Sequence, residues 1–331
     1  MHKLEDKKIK KIAIFRALQL GDLLCAIPAI RVLKHACPQA EITLLGLSWA
    51  ENFVKRFSGY FSGFIRFPGY PGLREQSFHL KNFIAFLHDV NKEQFDLLIQ
   101  MHGNGSIINP MIGMLGAKRT AGYFEAGKYC PDKELFMAYP EDHSEIKKHL
   151  SLMNFFGFPS GEYQLEFPVL QGEQKHFKEL CKIIGIKSKE YVCVHPGARD
   201  TKRMWHPKKF ALVADKIAEK GYKIVLTGTE MERHAVELVE KYMRYEAINC
   251  VGKTDMGTLA LLIKNSKMLF SNDTGVSHIA SAVKTPSVLI FLASDPKRWA
   301  PLNKNLHRVI LPEESENLDF VLSNTAQVLR E

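Results

Sequence analysis

The chain has 331 residues, more than a single hydrophobic core usually serves, so two domains are expected. Its 46% hydrophobic content suits a globular protein; the charged start and short first apolar run argue against a signal peptide or a spanning helix. The formal charge of +9 asks for an acidic partner. A nucleotide satisfies it, as does a phosphorylated glycolipid at the inner membrane face. Dispersed basic residues without a recognition motif argue against nucleic acid. The expected location is the cytoplasm, with no stable membrane insertion. Six scattered cysteines without a Cys-x-x-Cys pair read as reduced core thiols, giving neither a zinc site nor a disulfide framework.

Residues 11–16 (KIAIFR) read as a buried parallel strand. Leu18-Gln19-Leu20-Gly21-Asp22 then turns into a helix whose apolar residues Leu23, Ala26, Ile27, Ile30 and Leu33 recur at helical spacing. Asp22 stands where strand gives way to helix. Ligands of open α/β sheets bind at the carboxyl ends of strands, so this carboxylate is a candidate for chemistry, and equally an N-cap. A strand at 41–45, a helix from about Ala50 and an irregular loop over 59–72 follow; the loop either lines an acceptor site or wraps the domain. The strand 95–100 leads into His102-Gly103-Asn104-Gly105-Ser106, a polar, glycine-rich segment where a second substrate could dock. A helix over 143–156 and a Pro- and Gly-containing segment over 157–168 mark a boundary, dividing the chain into 1–165 and 166–331.

The second half repeats the layout. Strand 191–194 runs into His195-Pro196-Gly197-Ala198, then a cationic stretch with Lys202 and Arg203, then a helix over about 207–220. Lys202 is placed to reach a diphosphate, although a solvated surface lysine is the default reading. After strand 222–226, Thr227-Gly228-Thr229-Glu230 opens another helix; Glu230 could bind a ribose hydroxyl pair or simply favour a first helical turn. A short strand at 247–251 and a helix at about 255–264 come next. Between a strand at 267–270 and a helix at 279–283 lies Ser271-Asn272-Asp273-Thr274-Gly275-Val276-Ser277-His278. The N–H groups of a helix start suit a phosphate or diphosphate. Gly275 permits close backbone approach, Thr274 offers a hydroxyl, and Asp273 and His278 offer groups for a ribose, phosphate or sugar. An Asp-Thr-Gly turn also often merely caps a helix. A strand at 287–291 and a helix at 318–329 complete the chain.

Together these strings resemble the glycosyltransferase family that contains the ADP-heptose:lipopolysaccharide heptosyltransferases. The matching blocks, in order, are Arg16 with Leu20-Gly21-Asp22 and Ile27-Pro28-Ala29; Gln100-Met101-His102-Gly103-Asn104; His195-Pro196-Gly197-Ala198; Lys202-Arg203 with Trp205 and Pro207; Thr227-Gly228-Thr229-Glu230; and Asn272-Asp273-Thr274-Gly275 with His278. The resemblance implies an α/β GT-B fold, with two Rossmann-like domains facing across a cleft. It implies inversion at the anomeric carbon with no required metal or cofactor. By the same resemblance Asp22 is the general base, while Lys202, Glu230, Asp273, Thr274, Gly275 and His278 hold a nucleotide-sugar donor on the second domain. His102 and Asn104 fall in the acceptor half, a glycolipid or glycan being the acceptor, and the last helix is expected to cross back onto the first domain. The family usually runs Lys-Arg-Trp-Pro unbroken. Here Met204 and His206 intervene, which leaves Lys202 and Arg203 as rival partners of the diphosphate.

The chemistry needs a base for the acceptor hydroxyl and charge to stabilise the departing diphosphate. No Asp-x-Asp pair occurs, so the usual carboxylate clamp for a metal-bound donor is missing from the sequence. A dehydrogenase is disfavoured because Gly-x-Gly-x-x-Gly does not follow the first strand, and a phosphoryl-transfer enzyme because Gly-x-x-x-x-Gly-Lys-Ser/Thr does not occur. A sugar-nucleotide epimerase and a non-catalytic nucleotide-sugar-binding protein stay open as alternatives.

Overall fold

The computed structural model describes Leu4 and residues 9–159 and 161–330. The chain divides into two compact units, Met1–Tyr163 and Gln164–Glu331. The first holds β1 (Lys11–Phe15), β2 (Glu41–Gly46), β3 (Gly63–Arg66), β4 (Leu97–Gln100), β5 (Arg119–Phe124) and β6 (Phe136–Ala138). All pairings are parallel, in the order β3-β2-β1-β4-β5-β6. The central strands are apolar apart from Lys11 at the start of β1 and Gln100 at the end of β4, because helices cover both faces of such a sheet. Phe15, Leu45, Phe67, Phe86 and Leu98 form one buried core there.

The second unit holds β7 (Tyr191–His195), β8 (Lys223–Leu226), β9 (Ala247–Asn249), β10 (Leu269–Asn272), β11 (Ser287–Ile290) and β12 (His307–Ile310). Its order, β12-β11-β10-β7-β8-β9, is the same topology again. Each unit is thus a Rossmann-type sheet whose strand order reverses at one point: between β1 and β4 in the first, between β7 and β10 in the second. The crevice outside the carboxyl ends of those strands is where such sheets bind ligands. The last helix, Leu318–Arg330, packs on the helix Pro207–Ala218 and on β11 and β12, burying Val321, Val328 and Leu329 in the core of the second unit. Among the described residues no helix is long and apolar enough to cross a membrane.

Several expected elements change. The segment 59–72 is not wholly a loop: it carries the edge strand β3, whose Gly63 lies against Thr43 so closely that a Cβ would stand 2.8 Å from the threonine oxygen. A half-buried four-residue strand leaves no clear alternation to read. Strands β5, β6 and β12 also lie in segments without a recognisable pattern. The helix after β10 starts at Gly275, four residues earlier than expected, and β10 ends at Asn272. The polar octapeptide is therefore a strand end, a two-residue turn and a first helical turn.

Candidate active site

In the first unit the helix Leu20–Ala36 begins at Leu20, which makes Gln19 the N-cap and puts Asp22 at the third helical position. Asp22 is therefore not the N-cap that is the alternative to a chemical role, but it keeps a capping part as the acidic member of a capping box. Its carboxylate reaches back, Oδ2 accepting the Gln19 N–H at 3.2 Å, while Oδ1 lies 3.7 Å from Nη2 of Arg16. Asp22 keeps 19% of its side chain exposed, against 1% for Arg16. The acidic group nearest the switch point of this sheet is thus the one within reach of a ligand.

Arg16 directly follows β1 and has no counterpart among the roles read from the sequence. Its Nε donates to the Asp22 carbonyl oxygen at 2.9 Å, Nη1 to the Met101 carbonyl oxygen, and Nη2 to Glu145 Oε2 at 3.3 Å. Glu145 opens the helix Glu145–Phe155, 129 residues away. His102, beyond β4, is buried; its Nδ1 accepts the Ala17 N–H at 3.2 Å, which leaves the ring proton of the neutral form on Nε2. Burial, assisted by the Arg16 charge, lowers its pKa to about 3, so the ring is neutral across the physiological range. Asn104 is engaged by its own loop and the one after β5: Oδ1 accepts from the Ser106 N–H and hydroxyl, and Nδ2 donates to Glu125 at 3.1 Å.

In the second unit β7 and β10 present the two adjoining turns. Asn272, the last residue of β10, stitches them together: its Nδ2 donates to the Pro196 carbonyl at 2.7 Å and its Oδ1 accepts the Trp205 N–H at 3.0 Å. Thr274 is the extended N-cap of the helix Gly275–Ala282. It caps without its side chain, and its Oγ1 is buried with no hydrogen-bond partner among the described residues. A buried hydroxyl left unpaired beside a helix N-terminus is suited to an anionic oxygen. Asp273 is buried; its carboxylate accepts the Ser294 hydroxyl, and Arg203 Nη1 lies 3.9 Å away. Burial raises its pKa, against the opposing pull of Ser294 and Arg203. His278 is buried one helical turn on, its ring 6.1 Å from that of Trp299. Lys202 lies exposed on the turn Thr201–Arg203, its backbone N–H held by Asp200 at 3.0 Å.

The structure separates the two acids after β8. Glu230 is exposed and paired to Arg233 at 2.7 and 2.8 Å. Glu232 turns inward: its carboxylate accepts the Thr229 N–H and hydroxyl, each at 2.8 Å, and lies 3.5 Å from His195 Nε2. Burial pushes the Glu232 carboxyl up, but the His195 and Thr229 contacts prevail and hold it at about 2. A Cβ on Gly197 would stand 2.6 Å from the Glu232 carboxyl carbon, so this glycine lets loop and acid meet. Of the two acids after β8, Glu232 is the one that faces the end of β7. The Thr227-Gly228-Thr229-Glu230 block points to Glu230, and no local signal singles out Glu232.

Two Rossmann-type units of six parallel strands, each gathering its polar groups at the switch point, are the architecture of a GT-B glycosyltransferase. Residues 83–328 match glycosyltransferase family 9 (heptosyltransferase), and the chain belongs to that family. It is a glycosyltransferase. Lipopolysaccharide heptosyltransferase 3 of Escherichia coli K12 is 23% identical over 307 residues, covering 86% of this chain and 83% of the relative. The glycosyl transferase family 9 structure from Veillonella parvula superposes with a TM-score of 0.81 at 18% identity, covering 97% of each chain. That of the E. coli ADP-heptose lps heptosyltransferase II gives 0.74 at 18% identity, over 97% of this chain and 98% of the other.

Proposed function

We propose that the protein transfers a heptosyl group, with inversion, from ADP-heptose to a hydroxyl of a lipopolysaccharide-type glycan at the inner membrane face. The acceptor hydroxyl gives its proton to the Asp22 carboxylate as its oxygen bonds the anomeric carbon. The bond from that carbon to the diphosphate oxygen breaks, and the diphosphate leaves with the electron pair. The first unit is the acceptor half, with the His102 Nε2–H offered to the acceptor and Asn104 shaping the loop beside it. The second unit is the donor half. Lys202, the Thr274 hydroxyl and the N–H groups at Gly275 meet the diphosphate, and Asp273 and His278 line the turn. Glu232, in place of Glu230, takes the ribose hydroxyls.

The observation that carries this reading is the Asp273–Gly275 turn, where a buried, unpaired Thr274 hydroxyl and the start of a helix converge at the switch point of the second sheet. Protein cations and helix N–H groups stabilise the charge that develops on the leaving group, which removes the need for a metal. Turnover in EDTA equal to turnover in magnesium is expected; loss in EDTA restored by a divalent ion would overturn metal independence.

The test is release of ADP from ADP-heptose in the presence and absence of heptose-deficient lipopolysaccharide. Release that depends on the acceptor, with heptose gained by the glycan, supports the proposal. Altered donor configuration without ADP release identifies an epimerase. A raised melting temperature with ADP-heptose but no reaction identifies a binding protein.

A further inference from the structure

Beneath Asp22 the first unit buries a charged cluster that the transfer mechanism leaves unused. Arg16 and Glu145 are 1% and 3% exposed, and Lys148 is 1% exposed. Burying three full charges is costly unless each is paired, and a cluster with unequal signs keeps a residual field. Here two cations, Arg16 and Lys148, enclose one fully buried anion, Glu145. Glu145 Oε2 takes Arg16 at 3.3 Å and lies 3.6 Å from His149 Nε2; Oε1 takes Lys148 at 3.4 Å and the Tyr139 hydroxyl at 3.4 Å. The nearby neutral groups do not balance the surplus. His149 bonds the Tyr123 hydroxyl at 3.0 Å, and burial, then the Arg16 charge, lowers its pKa to about 4 in spite of Glu145. His102 is lowered further, for the same leading reason. Arg16, from the end of β1, faces both carboxylates; Tyr139 beyond β6 and Lys148 and His149 from its own helix also face Glu145, with Tyr123 on β5 bonded to His149 behind them.

The surplus positive charge points at Asp22. Arg16 Nη2 lies between Glu145 Oε2 at 3.3 Å and Asp22 Oδ1 at 3.7 Å, and the same guanidinium holds the Asp22 backbone carbonyl through Nε. One side chain thus grips the first turn of the helix and stands beside its carboxylate. Its own orientation is set from behind, by Met101 and Glu145.

We propose that Arg16, braced by Glu145, is a positioning residue that fixes both the place and the charge of the Asp22 carboxylate, and that Glu145 limits how strongly Arg16 draws on Asp22. This rests on the reading of Asp22 as the base. The two members of the pair have opposite consequences. Without the Arg16 charge, Asp22 loses the cation that favours its ionised form; without the Glu145 charge, Arg16 has Asp22 as its remaining carboxylate. A bracing role that was merely structural would cost activity or stability in both variants without moving the titration of Asp22 in opposite directions.

The experiment measures the titration of the Asp22 carboxyl carbon by NMR in the full chain, with aspartate labelled and the Asp22 signal assigned by its loss in Asp22→Asn. Arg16→Gln should move the titration to higher pH by about one unit or more, and Glu145→Gln should move it to lower pH. The acid limb of kcat against pH, measured as acceptor-dependent ADP release, should move with it. Arg16→Gln should also lower kcat at least ~10-fold while leaving the melting temperature of the ADP-bound protein's second unit unchanged. If Arg16→Gln does not fold, Glu145→Gln decides alone, since Gln keeps the shape of Glu: an unmoved or upward-moved titration overturns the inference. Because the titration needs no turnover, an active Asp22→Asn would overturn the base assignment separately.

Discussion

Asp22 and Arg16 show how a residue's role depends on which atoms its neighbours leave to it. Asp22 has one carboxylate oxygen on the Gln19 N–H and the other facing Arg16, yet it retains exposure that the buried Glu145 does not. The second unit poses the same question for two pairs of like residues. Arg203 is already beside Asp273, whereas the Lys202 ammonium has no hydrogen-bond or ion-pair partner among the described residues. Lys202→Ala should therefore weaken ADP-heptose use more than Arg203→Ala, by about 10- to 100-fold for a charge-assisted contact of roughly 1.5–3 kcal/mol. Equal or reversed losses in kcat/KM would pass the role to Arg203. Of the two acids, Glu232→Gln should raise the KM for the donor at least ~10-fold and Glu230→Gln should leave it within about 2-fold, Glu230 being exposed and committed to Arg233. The reverse ranking would return the ribose to Glu230. Position in the chain pointed to Asp22, Asp273, Thr274 and Gly275, because each stands where a strand hands over to a helix. Arg16 with Glu145 and Glu232 with His195 could not be read that way: their partners arrive from elements 129 and 37 residues distant, and no local pattern announces a tertiary ion pair.

At the scale of elements, the helix Gly275–Ala282 and the turn at Gly197 owe their use to what they lack. Thr274 caps its helix without a side-chain bond. Thr274→Val keeps the shape and removes a hydroxyl that bonds nothing in the described structure, so the melting temperature should hold or rise while the Kd for ADP rises about 3- to 10-fold. Isothermal titration with ADP distinguishes the cases, and an unchanged Kd would remove the hydroxyl from the donor contact. Gly197→Ala forces a Cβ against Glu232 and should disturb both loop and donor binding, by a contact that either must give way or shift the loop. The boundaries of these elements were less readable than their existence. Asn272 and Ser271 are polar yet fully buried as the end of β10, so hydropathy ended the strand two residues early. Edge strands such as β3 fail for the opposite reason, being too exposed to carry an apolar period.

For the molecule as a whole, the doubling of one topology explains why the sequence could be read so far: each sheet has a strongly apolar centre, with weak signals confined to its flanks. The buried histidines set its response to acid. Burial lowers His102 to about 3, and His149 and His307 to about 4, beneath the value of about 6.5 for an unfolded chain. Between those limits the unfolded chain binds protons that the folded one does not, so stability is expected to fall as pH drops from about 6.5 toward 4. Glu232 and Asp96, held at about 2, withdraw their contributions only below about 4.5, which leaves the upper window to the histidines. Melting temperatures recorded from pH 7 to 4.5 should decline, and His149→Gln should shallow the decline; a flat profile would contradict the assignment. The central claim, that Asp22 takes the acceptor's proton, is tested most directly by kcat for acceptor-dependent ADP release in Asp22→Asn. The amide preserves shape and still accepts the Gln19 N–H but cannot serve as the base. A fall of ~10² or more is expected, with the ADP-heptose Kd and melting temperature unchanged; a folded variant with near-wild-type kcat would contradict the role of Asp22 as base.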